Sequence, residues 1–330
     1  MNTMLISRRG LLGAAVPIGL WAAGARAADK PRMRIACVLN AADTIYTGTD
    51  TFIADTPDLN VTVYKSTLGQ GELQLYQSVQ LGTLESAIAT TGTLSAFVPE
   101  ADLFNLPFLF RNRQHAFNVV DGEIGNEFNE KAAKKGLRIL GWWIDGTRNT
   151  SNNMRPVMKP EDYKGMKVRT MESPPYIAFY KAMGALPVAM PITSVYNALS
   201  TGAIDGVDGS LSAQLEFKHI EVLKYAAITD HAILFYPFVV NESWFSGLPA
   251  ASQQSIVAAE AKARRVQRKA DATYQDSMEA AWRAQGRTIT HPDLEPFRKV
   301  AEQIYPQFYA AVGGRQMIER VAAVPDTPPG

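Results

Sequence analysis

The chain has 330 residues, of which 46% are hydrophobic and 20% are charged, with 33 Lys and Arg against 32 Asp and Glu. This length suggests two domains of ~100–200 residues each, and the net charge of +1 excludes the basic footprint of a nucleic-acid-binding protein. A single cysteine excludes a disulfide framework and any metal site built from several cysteines.

Residues 1–27 have the pattern of an export signal that is removed from the mature protein. Two adjacent arginines precede an apolar run of 16 residues, and Ala25-Arg26-Ala27 then supplies the small residues of a peptidase site. The run is shorter than the ~20 residues of a membrane span. The order Ser-Arg-Arg-x-x-Leu favours twin-arginine export, with a general secretory signal as the alternative, and both predict a periplasmic protein.

The middle of the chain alternates between short apolar runs and helical patterns. Strands are predicted at residues 35–39, 61–64, 87–89, 137–144, 166–171, 185–190 and 203–207. Helices are predicted from Glu72 to about Leu81, after Ser173 with two prolines in the first turn, and after Thr193 or Ser194. This alternation predicts an α/β fold in which mostly parallel sheets are flanked by helices.

Residues 250–285 form a stretch of 36 residues without glycine or proline, rich in Ala, Gln, Arg, Lys and Glu. One helix of that length would extend for ~54 Å, which is longer than a domain of ~150 residues. We therefore predict that this helix either breaks or extends across two domains.

The common motifs of catalytic and nucleotide-binding sites are missing from the sequence. The four histidines include no pair at i and i+4, so the zinc-protease helix is absent. No Gly-x-Ser-x-Gly elbow or Walker lysine motif occurs, and Gly69-x-Gly71 lacks the third glycine of a dinucleotide fingerprint. The sequence thus gives no nucleophile–base pair. Asp and Glu side chains that are distant in the sequence could still come together in the fold to form a catalytic pair.

Polar side chains follow several of the predicted strands, at the edge where ligands bind in α/β sheets. They are Asn40, Thr90, Thr91, Arg148, Arg169 and Asp208. Two arginines that converge on one crevice would clamp a carboxylate, because a guanidinium binds it bidentately and stays charged when desolvated. The alternative is that each arginine pairs with a local acid, such as Asp145 or Glu172.

Several short segments, in order along the chain, resemble the solute-binding proteins of tripartite ATP-independent periplasmic (TRAP) transporters, the dicarboxylate-binding, DctP-like family. They are Ser-Thr-Leu-Gly at 66–69, Asp-Leu-Phe-Asn-Leu-Pro-Phe at 102–108, Gly-Thr-Arg at 146–148, Lys-Gly-Met-Lys-Val-Arg at 164–169, Val-Tyr-Asn-Ala-Leu at 195–199 and Gly-Ala-Ile-Asp-Gly at 202–206. The ordered series covers nearly the whole mature chain.

The resemblance implies a two-lobed periplasmic-binding-protein clamshell. Each lobe would be a mostly parallel sheet flanked by helices, and the long helix would brace both lobes. Lobe I would comprise residues 28–144 plus 234–274, and lobe II would comprise residues 145–233 plus 275–330.

The resemblance also implies the residues that hold the ligand. Arg169, the last residue of the Lys-Gly-x-Lys-x-Arg strand, would pair with a substrate carboxylate. Arg148 of the Gly-Thr-Arg segment would assist it, and Asn40 corresponds to the asparagine that follows the family's first strand.

Three positions depart from the family's pattern. Gly209 stands where the family commonly has an asparagine that reaches the ligand, so a contact is lost and space is gained. Glu172 and Thr90 stand where sialic-acid-binding relatives have an asparagine and an acid. We therefore expect a different or bulkier acid than the family's usual substrates, including sialic acid.

The predicted function is that of a non-enzymatic periplasmic receptor for an organic acid. It would close on the anion and deliver it to a permease of two integral membrane subunits that is driven by an ion gradient, and nucleic acid is not an expected partner. No cofactor is expected, but the sequence leaves open a bound calcium ion, for which Asp208 would be a ligand. Two alternatives remain: an exported hydrolase or lyase with Asp208 or Glu172 as general base, and a receptor that feeds a sensor kinase.

Overall fold

The computed structural model describes residues 30–40, 42–66 and 71–328. The predicted export signal and most of the 66–69 motif lie outside the described residues. All elements below belong to one unit, Pro31–Gly330. Among the described helices, none combines the length and the apolar character that a membrane span requires.

Nine strands make up the sheet in the described part of the chain. They are β1 (Arg32–Cys37), β2 (Asn60–Lys65), β3 (Ser86–Ile88), β4 (Leu137–Asn152), β5 (Lys167–Thr170), β6 (Leu186–Ala189), β7 (Gly206–Gly209), β8 (Tyr225–Asn241) and β9 (Thr288–Thr290). Their order is β2-β1-β3-β8-β4-β7-β5-β6, with β9 paired to β8.

The two ends of this sheet are parallel and its centre is antiparallel. β1 pairs in parallel with β2 and β3, and β5 pairs in parallel with β6 and β7. The long strands β4 and β8 pair with each other, and with β7 and β3, in antiparallel fashion. The predicted α/β class is therefore confirmed, with one continuous path of strands joining the two parallel ends.

The predicted strands agree with the structure to within a few residues, except at two places. β4 continues to Asn152, well beyond the apolar run that predicted it, because its polar second half is buried between β7 and β8. The strand predicted at 203–207 begins only at Gly206. Periodicity misses the second half of β4 because its polar side chains are buried, and it gave no prediction for β8 and β9.

Helices cover both faces of the sheet. They are α1 (Ile45–Ala54), α2 (Glu72–Gln80), α3 (Thr91–Leu94), α4 (Arg113–Asp121), α5 (Glu123–Ala133), α6 (Pro174–Ala182), α7 (Val195–Ser200), α8 (Leu211–Glu216), α9 (Glu242–Ser246), α10 (Ala250–Asp276), α11 (Met278–Ala284), α12 (Glu295–Ile304), α13 (Tyr309–Val312) and α14 (Arg315–Ala323). Short 3₁₀ helices lie at Pro99–Asn105, Pro160–Tyr163, Ile192–Ser194, His219–Val222 and Tyr305–Phe308.

The long helix breaks, which is one of the two outcomes that its length predicted. α10 has 27 residues, and Ser277 separates it from α11. The main-chain N–H of Ser277 bonds to the carbonyl of Tyr274, which tightens the last turn. The remaining 7-residue helix α11 packs Met278 and Trp282 into a separate apolar cluster.

The hydrogen-bond ladder between β4 and β8 is interrupted at Asp145 and Gly146. Ile144 pairs with Phe235 and Thr147 with Ile233, so two residues of β4 lie opposite one residue of β8. Gly146 has φ +64°, a conformation that a side chain disfavours. The lobe boundaries proposed from the sequence, which stay a prediction, fall within β4, within β8 and near the end of α10.

Side chains of α10 supply hydrogen bonds to the main chain of β4 around this interruption. Gln267 donates to the Ile144 carbonyl (2.7 Å) and accepts from its N–H (3.2 Å). Asp271 accepts the N–H of Gly146 (3.0 Å), and Arg268 donates to the Trp142 carbonyl (2.7 Å). These three polar residues of the long helix therefore bond to strand backbone, while Lys262, Arg265 and Lys269 of the same helix are exposed.

The core lies on both faces of β4. Trp142 packs against Phe104 and Phe128 on one face, with ring centroids 4.9 and 5.5 Å apart. Trp143 packs against Phe238 on the other face, at 5.4 Å. Because neighbouring strand residues point to opposite sides of a sheet, these two buried tryptophans anchor β4 to two separate apolar clusters.

Candidate functional site

A cavity of about 100 Å³ is lined by both predicted arginines, Arg148 from within the long strand β4 and Arg169 from near the end of β5. Its polar lining consists of Glu72, Gln74, Thr90, Thr93, Arg148, Arg169, Glu172, Thr193, Ser210 and Tyr236. Its apolar lining consists of Val38, Leu73, Met171, Met190, Pro191, Ile192, Ala213 and Leu234, with Gly71 and Gly209. The cavity thus combines two guanidinium groups with apolar walls and several hydrogen-bonding side chains.

Arg148 reaches the cavity from β4 and is held by Asp208 of β7. Its Nη2 lies 2.7 Å from Asp208 Oδ2, and its guanidinium also stacks on the Tyr176 ring at 4.4 Å. On the other side of Asp208, His231 Nε2 lies 3.2 Å from Oδ1. Burial opposes the charge of Asp208, but Arg148 and His231 offset it and lower the pKa of Asp208 to about 2.

Arg169 is equally buried but has a different set of partners. Its Nε donates to the Met190 carbonyl at 2.9 Å, and its Nη1 lies 3.4 Å from the Asp208 carbonyl. In the described part of the chain, no ion pair joins Arg169 to a carboxylate, although the side chain is only 4% exposed. Burial and the charge of Arg148 lower the pKa of Arg169 to about 10, so it remains a cation at neutral pH.

Glu72, the first residue of α2, brings a carboxyl group into the same cavity. The hydroxyl of Thr93 donates to its Oε2 at 2.8 Å, and the Thr90 hydroxyl donates to the same oxygen. Burial raises the pKa of Glu72, whereas these hydroxyls and the charge of Arg169 act in the opposite direction. Glu72 and Arg169 are therefore close enough to interact across the cavity.

The structure brings some of the predicted site residues together and leaves others outside. Arg148, Arg169, Thr90 and Glu172 line the cavity. Asp208 lies behind the wall and holds Arg148, so it supports the site rather than lining it.

Two predicted residues do not belong to the lining. Asn40 donates to the main-chain carbonyl of Glu216 at 3.1 Å, and Thr91 donates to Asn105 Oδ1 at 2.8 Å. Both side chains therefore serve internal hydrogen bonds in this arrangement.

Gly209 lies in the cavity wall, where the sequence predicted extra space. A Cβ built on Gly209 has no heavy atom within 4 Å. The position is therefore open towards the cavity, and a side chain placed there would extend into space rather than into the protein.

Sequence reasoning missed Glu72, Thr93 and Tyr236 as lining residues. The sequence presents Glu72 as an acid in the first turn of a helix, which is an ordinary position for one. Its place in the cavity depends on Thr90 and Thr93, 18 and 21 residues further along the chain. The available signal was the pair Thr90 and Thr93, two hydroxyl residues that follow a predicted strand and can bond to an acid at the start of a helix.

A second cavity of about 360 Å³ lies beside His231. Its lining includes Arg111, Arg113 and Arg298, but the first two arginines pair with Asp326 and Asp271, and Arg298 stacks on Phe108 at 4.8 Å. Among the described residues, no group of three or more His, Cys, Asp or Glu side chains is arranged to hold a metal ion. The first cavity is therefore the candidate site.

Comparison with known proteins agrees with this architecture. Residues 55–311 match the family described as bacterial extracellular solute-binding protein, family 7 (DctP). The 2,3-diketo-L-gulonate-binding periplasmic protein YiaO of Escherichia coli is 35% identical over 204 residues, which is 62% of each chain. The first three curated relatives are matched over 58% to 79% of their own lengths.

Two solved structures are similar over almost their whole length. A TRAP periplasmic solute-binding protein from a Polaromonas species, bound to D-erythronate, has a TM-score of 0.85 and 30% identity, covering 89% of this chain and 99% of that one. A TRAP protein from Sulfurospirillum deleyianum, with bound succinate, has a TM-score of 0.84 and 30% identity, covering 90% and 99%. The chain therefore belongs to the DctP family of bacterial extracellular solute-binding proteins, the TRAP-type periplasmic receptors of organic acids.

Proposed function

We propose that this protein binds an organic acid with one carboxylate and several hydroxyl groups, and delivers it to a TRAP permease in the membrane. The observation that carries the proposal is Arg169, a buried cation at the cavity whose side chain bonds to main-chain carbonyls. Removing a guanidinium from water is costly unless an anion compensates its charge. A ligand carboxylate would supply that charge.

The two arginines have different parts in this proposal. Arg148 already has its counter-charge in Asp208, so it orients the ligand at little net electrostatic cost. In the described part of the chain, Arg169 has no carboxylate within ion-pair distance, so it contributes most of the attraction for the ligand carboxylate. Bidentate geometry makes an arginine more selective for a carboxylate than a lysine would be.

The acids in the cavity argue for hydroxyl groups on the rest of the ligand. Glu72 and Glu172 both line the cavity, and carboxylate oxygens accept hydrogen bonds from hydroxyls. A second carboxylate on the ligand would instead meet like charges, which is unfavourable in a partly desolvated site. Relatives of equal similarity bind D-erythronate and succinate, so the choice of a hydroxy acid over a plain dicarboxylate rests on the acids of the cavity.

The site supports binding rather than hydrolysis or elimination. Asp208, a candidate general base, has a pKa of about 2 and is engaged by Arg148 and His231. A base of such low pKa accepts protons poorly at neutral pH. The family of solute-binding proteins also argues for a receptor, and a periplasmic location and a permease partner follow from that membership as part of the proposal.

Thermal unfolding with added acids tests the proposal. D-erythronate and succinate are a matched pair of four-carbon acids that differ in hydroxyl and carboxylate number. At equal concentrations, we expect D-erythronate to stabilise the protein more than succinate does. At 100 times its Kd, D-erythronate should raise the unfolding free energy by ~2.7 kcal/mol relative to the ligand-free protein. Arg169→Ala should weaken binding at least ~100-fold, because a desolvated carboxylate loses its partner.

The matched control is Arg298→Ala in the second cavity, which should leave the affinity unchanged. Unaltered binding by Arg169→Ala would contradict the site assignment. Equal stabilisation by succinate would contradict the preference for a hydroxy acid.

A further inference from the structure

Four carboxyl groups meet behind the ligand cavity. Asp43 follows β1, Asp145 belongs to β4 at its interruption, Glu216 ends α8 and Asp271 belongs to α10. Asp43, Asp145 and Asp271 are at most 2% exposed, and Glu216 is partly buried. We call these four residues the carboxyl cluster.

Hydrogen bonds connect the carboxyl cluster across several elements. Gln275 Nε2 lies 3.2 Å from both Asp145 Oδ1 and Asp271 Oδ1 and 2.8 Å from Ser212 Oγ. Tyr274 donates to Glu216 Oε1 at 3.1 Å. The end of the long helix therefore holds carboxyl groups that come from β4 and α8.

Few positive charges compensate the cluster. Arg113 pairs with Asp271 at 2.9 Å, and it is the cation that the described residues place against these acids. One oxygen of Asp43 and one of Glu216 are buried with no hydrogen-bond partner in the described residues. The other titratable groups that face the cluster are Cys37, Tyr46, Tyr236 and Tyr274.

The cluster must therefore hold protons in this arrangement. Burial raises the pKa of Asp43 and Asp145, and repulsion from Asp145 adds to the shift of Asp43. Burial followed by the charge of Asp145 raises the pKa of Glu216 to about 8, and burial raises that of Asp271 to about 7. Burial also raises the pKa of Cys37 and the three tyrosines, so these groups stay neutral near pH 7–8.

The cluster is in direct contact with the ligand cavity. Ser210 lines the cavity and donates to Asp145 Oδ2 at 2.8 Å, while Ser212 donates to Oδ1 at 2.8 Å. Arg148 and Arg169 are only 1% and 4% exposed, so we expect binding and release of a ligand to involve movement of the elements around the cavity. Movement at the interrupted part of β4 would separate the four carboxyl groups and expose them to water.

We propose that the carboxyl cluster is a proton-linked switch: the covered arrangement takes up protons, opening releases them, and the organic acid therefore binds more tightly at lower pH. The inference rests on the proposed function, because it concerns the affinity for that ligand. A hydroxy acid is itself ionised throughout pH 6–9, since a carboxylic acid titrates near pH 4. Its own charge therefore does not produce the dependence.

The sign of the effect on stability follows from proton linkage. A carboxyl group whose pKa is higher in the folded than in the unfolded state contributes stability below its unfolded pKa. This contribution is lost as the pH rises through the folded pKa. For Glu216 and Asp271, this loss begins near the unfolded pKa of ~4 and is complete slightly above the folded values of about 8 and about 7.

Thermal unfolding without ligand tests whether the cluster holds protons. We expect the midpoint of the wild type to fall by roughly 3–6 °C between pH 6.5 and pH 9. Glu216→Gln, which keeps an acceptor for Tyr274, should lose at least half of this dependence, and Asp43→Asn provides a second variant. The control Glu302→Gln changes an exposed acid and should behave as the wild type. Identical pH profiles for all four proteins would overturn the switch.

Calorimetric titration with D-erythronate at pH 6, 7 and 8 tests the coupling to binding. In the wild type, we expect Kd to rise 3- to 10-fold per pH unit between pH 6 and pH 8, with binding heats that differ between phosphate and Tris buffers because protons are taken up. Glu216→Gln should lose at least half of this dependence of Kd on pH. A constant Kd in the wild type overturns the switch alone, whereas no binding of any acid at any pH overturns the proposed function together with the coupling.

Discussion

The cavity wall and the carboxyl cluster bury charge in opposite ways. At the cavity, Arg148 pairs with the Asp208 carboxylate, whereas Arg169 bonds to main-chain carbonyls. In the cluster, Arg113 pairs with Asp271, and it is the one cation that the described residues place against the four carboxyl groups. The two regions touch through Ser210, which lines the cavity and bonds to Asp145.

This difference shows how the protein can use a charge imbalance. An arginine stays charged when buried because its pKa is so high, so an excess of arginine attracts an anion from outside. A carboxyl group becomes neutral when it is buried beside others, so an excess of carboxyls takes up protons. The first imbalance favours a ligand and the second favours a pH response.

The largest effect on this comparison is expected from Asp208→Asn, which removes the carboxylate that pairs with Arg148 behind the cavity wall. Arg148 would then be buried without a counter-charge, and we expect unfolding free energy to fall by ~3–5 kcal/mol. The loss should be measured by denaturant unfolding at pH 7. Added ligand should restore more stability than in the wild type, because its carboxylate replaces the missing charge.

The same variant has a defined pH signature. The pKa of Asp208 is lowered to about 2, so the stability it contributes is present above its unfolded pKa of ~4 and is lost as the pH falls towards 2. Asp208→Asn should lack this acid-dependent component, whereas the exposed Asp50→Asn should retain it. Wild-type stability in Asp208→Asn would mean that Arg148 does not depend on this partner.

An intermediate effect is expected from Glu72→Gln, which removes a negative charge from the cavity but keeps the acceptor for Thr90 and Thr93. Affinity for succinate should rise roughly 5-fold, about 1 kcal/mol, because the second carboxylate meets less repulsion. Affinity for D-erythronate should change by less. Glu302→Gln is the control, and an unchanged ratio of the two affinities would refute the role given to Glu72.

The smallest effect is expected from Gly209→Asn, which fills space without altering charge. Because a Cβ at Gly209 meets no neighbour within 4 Å, the unfolding midpoint should stay within about 2 °C of the wild type. Binding of 2,3-diketo-L-gulonate, a six-carbon acid, should weaken more than binding of D-erythronate. Equal losses for both acids would show that this position does not limit ligand size.

The sequence was sufficient to predict that two arginines meet at one crevice, because each follows a strand pattern and belongs to a recognisable local motif. Arg148 and Arg169 do line one cavity. The same reasoning selected Asn40 and Thr91, which bond elsewhere. A residue's position after a strand gives its location to within a few ångströms, but its side-chain direction depends on the turn that follows.

The carboxyl cluster was beyond sequence reasoning for a different reason. Asp43 and Asp271 are separated by 228 positions along the chain, and each acid lies in a segment where an acid is common. Their proximity results from the docking of α10 on β4, which involves side chains that bond to main chain. Polar helix residues of this kind look like a solvated face in the sequence.

That docking has a consequence for hydrogen exchange. The amide protons of Ile144 and Gly146 are held by side chains of α10, Gln267 and Asp271, at the point where the strand ladder is interrupted. Their exchange with deuterated solvent should therefore follow the undocking of the long helix rather than the opening of the sheet. The exchange rates of these two amides would therefore report how often the long helix separates from β4. The measurement needs no attached label and no knowledge of the ligand.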